Sequence, residues 1–216
     1  MVLATARTTF SCVLLTPQIY PLRRYPFVAM QYIEQIGGML TDSAYPYKGI
    51  CAWDACGEYP NGEVAGTPTC NKDLLNTEIE NQKVAAVGGY QMVAMGAEYE
   101  DLTAAVLVKN GPLSVAFNAE GMDFYVHGIA GPTQCVNAET GYIQAGCISE
   151  YDNCDPDYLD HAVLLVGYGT QDGVDYWVIK NSWADTWGDN GYYRLLKGTN
   201  QCGVVSFISH AVVKEA

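Results

Sequence analysis

The sequence predicts an α+β protein with a small helical part followed by an antiparallel β-sheet or barrel. Two segments in the first half, starting at Phe27 and at Glu98, have apolar residues at helical spacing. From Leu113 onward the chain consists mainly of short apolar runs separated by turn residues. Consecutive strands joined by short turns favour antiparallel pairing.

The first predicted helix begins at Phe27 and ends at Gly37-Gly38, because glycine is typical of the position that follows a helix C-terminus. Its apolar positions are Val28, Ala29, Tyr32, Ile33 and Ile36. A cysteine-rich segment without periodicity covers residues 48–83, and residues 84–93 are predicted to form a strand.

The second predicted helix covers residues 98–109 and is ended by Asn110-Gly111-Pro112. Strands are predicted beyond it at residues 113–118, 161–167, 176–180, 192–196 and 204–213. Glycine-containing turns are predicted at 167–169, 171–173 and 189–191. The expected domains are a segment of different origin, an incomplete helical domain with a crossover, and a β-rich domain, at residues 1–25, 26–112 and 113–216.

Charge divides the chain near residue 25. Residues 1–24 carry three arginines and no acid, whereas the remaining 8 basic and 24 acidic residues give residues 25–216 a net charge of −16. The overall charge of −13 argues against nucleic acid and anionic membranes as partners, because both are bound by basic patches. No apolar run approaches the ~18–20 residues of a membrane span.

The eight cysteines predict an oxidising compartment, because seven of them lie in polar, glycine-rich loops or just before the last strand, as disulfides do in secreted domains. No Cys-x-x-Cys pair occurs and only three histidines are present, so no metal or cofactor is predicted. The apolar run Phe10–Leu15 is too short for a convincing signal peptide.

A histidine and an asparagine occur at the ends of two neighbouring predicted strands. His161 begins one strand, and Asn181 follows the next, with Trp183 beside it. In active sites with a cysteine nucleophile, a histidine takes the thiol proton and a polar side chain orients its ring. The pair therefore predicts the base and the orienting residue of such a site.

The motifs around this pair resemble the papain-like cysteine peptidases of the cathepsin group. Those of the β-rich half are Asp160-His161-Ala162-Val163, Gly167-Tyr168-Gly169, Tyr176-Trp177, Lys180-Asn181-Ser182-Trp183, Trp187-Gly188 and Gly191-Tyr192. Matching motifs precede them in the same order, at Tyr32-Ile33, Gly37-Gly38, Tyr45-Pro46-Tyr47, Gly111-Pro112-Leu113-Ser114-Val115 and Asp123-Phe124-Tyr125. The resemblance begins near residue 26. It implies a papain-like fold, hydrolysis of peptide bonds, a propeptide or protein inhibitor as a further partner, and a lysosomal, vacuolar or secreted location.

The resemblance also implies roles for four residues. His161 would accept the thiol proton and later protonate the leaving amine, and Asn181 would orient its ring. Trp183 would cover the hydrogen bond between them, and Trp187 would line the leaving-group side of the cleft.

Other residues near the motif have no such role. Ser182 lacks the Gly-x-Ser-x-Gly elbow of serine hydrolases. His127 and His210 match no functional position of the family and are expected to be ordinary loop or strand residues. Ala184 stands where the family usually has glycine, a departure with no cost evident from the sequence.

By resemblance, an S2 pocket would receive the substrate side chain one residue before the scissile one, termed P2. It would be formed by Ala116, Leu159, Asp160, Ala162 and Phe207. Phe207 would make it shallow and apolar, so small or medium apolar P2 residues are expected. A disulfide between Cys154 and Cys202 is also implied, while the pairing of five others is left open, at Cys51, Cys56, Cys70, Cys135 and Cys147.

The resemblance does not extend to the nucleophile. Family members carry a glutamine shortly before a Cys-Gly-Ser-Cys-Trp type motif that begins a long helix, and this sequence has neither. Cys12 precedes His161 by about 150 residues, near the usual spacing, but Pro17 prevents a long helix from starting there. Three interpretations stay open: a fragment or mis-assembled gene model of an active peptidase, a non-catalytic homologue that binds or inhibits, or a structural or storage protein.

Overall fold

The computed structural model describes residues 25–41, 86–131 and 154–213. They fall into two compact units, one with residues 25–41, 86–90 and 211–213, the other with residues 91–131 and 154–210. The described residues contain two α-helices, six strands and three short 3-10 helices. None of these helices is long and apolar enough to cross a membrane.

The first unit contains helix α1, Pro26–Gln35. Proline suits the start of a helix because the missing N–H would have no partner there. The apolar side of α1 buries Val28, Ala29 and Ile33. Gly38 then donates its N–H to the Ile33 carbonyl at 3.0 Å, so the predicted helix and its glycine end are confirmed.

Helix α2, Glu100–Asn110, belongs to the second unit and follows a 3-10 turn at Ala97–Tyr99. Its buried residues recur at helical spacing, as Glu100, Thr103, Ala104 and Leu107. The helix ends as predicted, because Gly111 has a φ of 84° and donates its N–H to the Leu107 carbonyl at 3.0 Å.

Six strands form one sheet in the order β1-β6-β2-β3-β4-β5. They are β1 Val87–Met92, β2 Leu113–Phe117, β3 His161–Gln171, β4 Val174–Lys180, β5 Tyr192–Leu196 and β6 Phe207–Val213. The ladders β2–β3, β2–β6, β3–β4 and β4–β5 are antiparallel, which confirms the predicted pairing.

The turn predicted at residues 167–169 is wrong, because β3 continues through it to Gln171 with an irregularity between Leu165 and Gly167. Gly169 instead lies close to a side chain of β4: a Cβ there would lie 2.8 Å from the Tyr176 hydroxyl, so the Tyr176 side chain would have to shift. The chain reverses at Asp172-Gly173, where φ is 53° and 79°, as in a two-residue turn with left-handed conformation at both positions.

The last strand begins at Phe207, three residues later than the predicted position. Asn200, Cys202 and Gly203 have φ of 49°, 54° and 74°, so the backbone before it is turned rather than extended. The Asn200 side chain closes this turn by accepting the Val205 N–H at 2.9 Å.

A buried carboxylate connects α2 to the segment after β5. Glu100 is 3% exposed and accepts hydrogen bonds from Trp177 Nε1 at 3.1 Å and from the N–H groups of Gly198 and Asn200, both at 2.6 Å. Three donors compensate the cost of removing this polar group from water. Nothing in the local sequence indicates this contact.

Candidate active site

The antiparallel pairing of β3 with β4 brings His161 and Asn181 together. His161 is the first residue of β3, and Asn181 directly follows the last residue of β4. Leu164 is the register partner of Lys180, so the start of one strand faces the end of the other. His161 Nε2 and Asn181 Oδ1 lie 2.9 Å apart, a hydrogen-bond distance.

A second hydrogen bond fixes which end of the Asn181 amide faces the histidine. The Ser182 N–H donates to the same Asn181 Oδ1 at 2.7 Å. Since a backbone N–H only donates, the shared atom is the carbonyl oxygen, and His161 Nε2 must donate to it as well. The neutral His161 ring therefore carries its proton on Nε2 and has a lone pair on Nδ1.

The backbone of Asn181 is held by the following loop. The Asn181 N–H donates to the Gly191 carbonyl at 3.0 Å, and the Gly191 N–H donates to the Trp187 carbonyl at 2.7 Å. Asn181 is 6% exposed, and its Nδ2 is buried with no hydrogen-bond partner among the described residues. A buried donor without a partner lowers the free energy of unfolding by about 1–3 kcal/mol. The fold accepts this cost at a position where the amide oxygen faces His161.

Aromatic rings surround the His161 ring in a closed series of contacts. Trp183 lies 5.2 Å from His161 between ring centroids and 5.1 Å from Trp187 in an edge-to-face arrangement. Trp187 contacts Tyr193 at 6.1 Å, Tyr193 contacts Phe117 at 6.3 Å, and Phe117 returns to His161 at 5.9 Å. These rings pack around the imidazole and restrict its orientation. The role of Trp183 in covering the hydrogen bond to Asn181 stays a prediction.

Tyr125 extends this aromatic cluster. Its ring contacts Tyr193 at 4.6 Å and Trp187 at 5.7 Å, and its hydroxyl donates to the Gly128 carbonyl at 2.7 Å. Burial raises the pKa of the Tyr125 phenol, partly opposed by the N–H that Arg194 donates to its oxygen. Trp187 is thus packed against a neutral phenol.

Three of the residues predicted to form the S2 pocket occupy one row across the sheet. Ala116 in β2 is the register partner of both Ala162 in β3 and Phe207 in β6. Leu159 and Asp160 immediately precede β3, and Asp160 Oδ1 accepts the Ala119 N–H at 2.9 Å. The structure brings these residues to one end of β2 and β3, and their role in substrate binding stays a prediction.

Cys154 and Cys202 form the disulfide implied by the resemblance. The remaining cysteines lie outside the described residues, so the described part of the chain has no free thiol near His161. They are Cys12, Cys51, Cys56, Cys70, Cys135 and Cys147. Within the described ranges, no group of three or more His, Cys, Asp or Glu side chains is arranged to hold a metal ion.

Two features of the site were missed from the sequence. Asn118 is a buried residue at the end of β2 with hydrogen bonds to distant segments. Ala184 has a φ of 74°, a conformation that costs an alanine about 1 kcal/mol relative to glycine, a cost that was not evident from the sequence. A local pattern indicates neither.

A histidine that begins one strand, an asparagine that follows its antiparallel neighbour and a tryptophan ring beside the histidine form the arrangement predicted for a cysteine peptidase. The family model described as papain family cysteine protease matches residues 24–145 and 136–212. The chain belongs to this family.

Curated relatives support the assignment. Mouse cathepsin F is 35% identical over 87% of this chain, and the rice oryzain gamma chain is 34% identical over 87%. The chain spans 32% of the former and 41% of the latter, so it corresponds to less than half of these relatives.

Solved structures show the same architecture. Digestive procathepsin L2 from the larval midgut of Tenebrio molitor matches with a TM-score of 0.57 and 28% identity, over 86% of this chain and 46% of the other. The ragweed pollen cysteine protease Amb a 11, in its proform, matches with a TM-score of 0.63. The match covers 96% of this chain and 51% of the Amb a 11 chain. Its 22% identity supports the fold alone.

Proposed function

We propose that this chain carries the base and the orienting residue of a peptidase that hydrolyses peptide bonds by a Cys-His-Asn mechanism. The observation that carries the proposal is the Asn181 carbonyl, which accepts from His161 and Ser182 at 2.9 and 2.7 Å. In this arrangement the lone pair on Nδ1 of His161 is available to accept the proton of a cysteine thiol. It is the geometry that a general base needs before catalysis begins.

The reaction follows from the two nitrogens of His161. Nδ1 takes the proton of a cysteine thiol, and the thiolate attacks the carbonyl carbon of the scissile bond. When the C–N bond breaks, the Nδ1–H proton goes to the leaving amine. A water then loses a proton to Nδ1 and attacks the thioester, which releases the acid and restores the thiol. Asn181 Oδ1 stabilises the imidazolium in both half-reactions.

The thiolate is the group that this chain does not supply in our proposal. Cys154 and Cys202 are bonded to each other, and no Cys-Gly-Ser-Cys-Trp type segment occurs in the sequence. Cys12 stands before Pro17, which is incompatible with the helix that lowers a thiol pKa in such enzymes. The lack of a suitable nucleophile in this sequence also supports the second candidate function, that of a non-catalytic homologue that binds peptides or inhibits a peptidase.

The proposed ligand is a peptide, or a propeptide or protein inhibitor, with a small or medium apolar P2 residue. Ala116, Ala162 and Phe207 would present an apolar row to that side chain. A lysosomal, vacuolar or secreted location accompanies the proposal, supported by the Cys154–Cys202 disulfide, since disulfides persist in oxidising compartments.

The transcript upstream of codon 26 separates the two candidates. An in-frame segment with a glutamine followed by Cys-x-x-Cys-Trp, whose product cleaves a dipeptidyl substrate and loses this activity in His161→Ala, supports the peptidase. A transcript without the segment, encoding a chain that binds peptides without cleaving them, supports the binding module.

The role of Cys12 is tested on the present chain. A peptidyl epoxide that alkylates active-site thiols is expected to leave Cys12 unmodified, and acid-treated protein is expected to show no hydrolysis of dipeptidyl substrates. Robust labelling that disappears in Cys12→Ser would instead identify Cys12 as the nucleophile.

A further inference from the structure

Asn118 connects three segments around the proposed S2 pocket. It directly follows β2 and is 1% exposed. Its N–H donates to the Cys202 carbonyl at 2.8 Å, and its side-chain Nδ2 donates to the Asp155 carbonyl at 3.3 Å. Its Oδ1 accepts the Glu120 N–H at 2.8 Å. The residue thereby joins β2 to the chain on both sides of the disulfide.

The orientation of the Asn118 amide is determined by its partners. The Asp155 carbonyl only accepts and the Glu120 N–H only donates, so Nδ2 and Oδ1 cannot be exchanged. Aspartate would lack the donor, and serine would be too short to reach Asp155. Among short polar side chains, asparagine supplies the donor and the acceptor at this reach.

Neighbouring hydrogen bonds fix the other end of the same segment. Asp160 accepts the Ala119 N–H at 2.9 Å and donates its own N–H to the Phe117 carbonyl at 3.3 Å. Residues 117–120 therefore hold residues 155–160 at both ends. Leu159 lies between these ends, with its Cδ2 2.7 Å from the position that a Cβ on Gly203 would take.

We propose that Asn118 is a positioning residue for the S2 pocket. Its bond to Asp155 sets the spacing between β2 and residues 155–160, and this spacing determines how wide a P2 side chain is accepted between Ala116 and Leu159. The inference rests on the proposed function, because it takes these residues as the pocket. Without the bond, the Asp155 end of residues 155–160 moves outward while Asp160 keeps its hydrogen bonds to Ala119 and Phe117, and the pocket admits larger side chains.

Two variants of the full chain remove the donor to Asp155 and keep an acceptor for Glu120, Asn118→Ser and Asn118→Asp. Thr170→Val is the matched control, because it deletes one side-chain hydrogen bond on the exposed β3–β4 hairpin. The probes are N-acetyl dipeptide amides with valine or phenylalanine at P2, and their Kd values are measured by calorimetry. The ring nitrogen signals of His161 are recorded by NMR in parallel.

The wild-type chain is expected to bind the valine peptide at least about fivefold more tightly than the phenylalanine peptide, a difference of about 1 kcal/mol. In both Asn118 variants this ratio is expected to fall to about one, while Thr170→Val keeps it and the His161 signals do not change. If the preference for valine is lost while the ring nitrogen signals of His161 stay the same, Asn118 has a positioning role. A general loosening of the structure would change both.

An unchanged ratio in the Asn118 variants would overturn the inference and leave the proposed function intact. A wild-type chain that binds neither peptide would instead contradict the proposed function itself. If the buried charge keeps Asn118→Asp from folding, Asn118→Ser decides, since it introduces no charge.

Discussion

The described residues of the second unit contain two histidine–asparagine pairs, and the pairs differ in the contacts that hold the asparagine. His161 Nε2 lies 2.9 Å from Asn181 Oδ1, and His210 Nε2 lies 3.0 Å from Asn110 Nδ2. Residue types and distances are therefore nearly the same. In the first pair the Ser182 N–H fixes the amide oxygen as the atom that faces the histidine. In the second pair the amide nitrogen faces His210, and within the described residues no second side-chain hydrogen bond fixes that orientation.

Asn181 is held from several directions and Asn110 is not. Asn181 receives the Ser182 N–H on its side chain, donates its own N–H to Gly191 and is 6% exposed. Asn110 is the exposed last residue of α2, and within the described residues its side chain makes one hydrogen bond. A histidine–asparagine contact is a candidate active site only where the surrounding structure fixes the orientation of the asparagine amide.

The largest expected effect is the loss of the aromatic cover of the first pair. Trp183 packs against His161 and Trp187 and against the hydrophobic core. Trp183→Ala is expected to lower the free energy of unfolding by about 2–3 kcal/mol, measured by urea denaturation. Trp183→Phe retains a ring and should lose less than half of that. A loss below about 0.5 kcal/mol in Trp183→Ala would show that the cover contributes little.

The two asparagines are compared directly by truncation. Asn181→Ala leaves the Ser182 N–H and His161 Nε2 without their acceptor and is expected to cost about 1–2 kcal/mol, since removal of the unsatisfied Nδ2 offsets part of the loss. Asn110→Ala is expected to change the unfolding free energy by no more than about 0.5 kcal/mol. Equal losses in the two variants would remove the distinction between the pairs.

Local sequence patterns predicted the helices, the antiparallel strands and the approach of His161 to Asn181. Gly37-Gly38 after an apolar helical face and Asp172-Gly173 between two strands have few alternative conformations. Strands joined by a two-residue turn then pair in one register, which places the start of β3 beside the end of β4.

The features that depend on distant contacts were not predictable. Gly169 reads as a turn residue, but it packs against the Tyr176 ring within a strand. Asn118 acts through carbonyls at Asp155 and Cys202, and no spacing in the sequence relates these positions. The conformation of Ala184 follows from the closure of the loop around Gly191, whose Cβ position would be 3.2 Å from the Ala184 carbonyl oxygen.

The strained backbone at Ala184 lies in the segment that holds the first pair. Because its φ is 74°, Ala184→Gly is expected to raise the free energy of unfolding by about 1 kcal/mol in urea denaturation. Asn190→Gly is the matched control, because asparagine tolerates the φ of 55° at this position. This variant should change the free energy of unfolding by at most a few tenths of the change in Ala184→Gly. Destabilisation by Ala184→Gly would contradict the assignment of strain.

A smaller effect is expected at alkaline pH from the aromatic cluster, which contacts His161. Burial raises the pKa of Tyr125 above its value in the unfolded chain. The stability that the neutral phenol contributes is therefore fully present below pH about 10 and is lost as pH rises through the folded-state pKa. Tyr125→Phe should flatten this loss in unfolding titrations between neutral and alkaline pH, at a cost of about 1–2 kcal/mol at neutral pH from the lost hydrogen bonds to the Gly128 carbonyl and the Arg194 N–H. An identical alkaline slope in the variant would exclude Tyr125 as its source.

The most direct test is a ¹⁵N NMR measurement of the ring nitrogens of His161 and His210 in their neutral forms. We expect His161 to carry its proton on Nε2, bonded to Asn181, and the ring of His210 serves as the internal reference because its asparagine is not fixed by a second side-chain hydrogen bond within the described residues. Asn181→Ala should convert His161 to a mixture of tautomers and leave His210 unchanged. A wild-type His161 that is protonated on Nδ1, or that is already a mixture, would contradict the account that Asn181 prepares this histidine to act as a base.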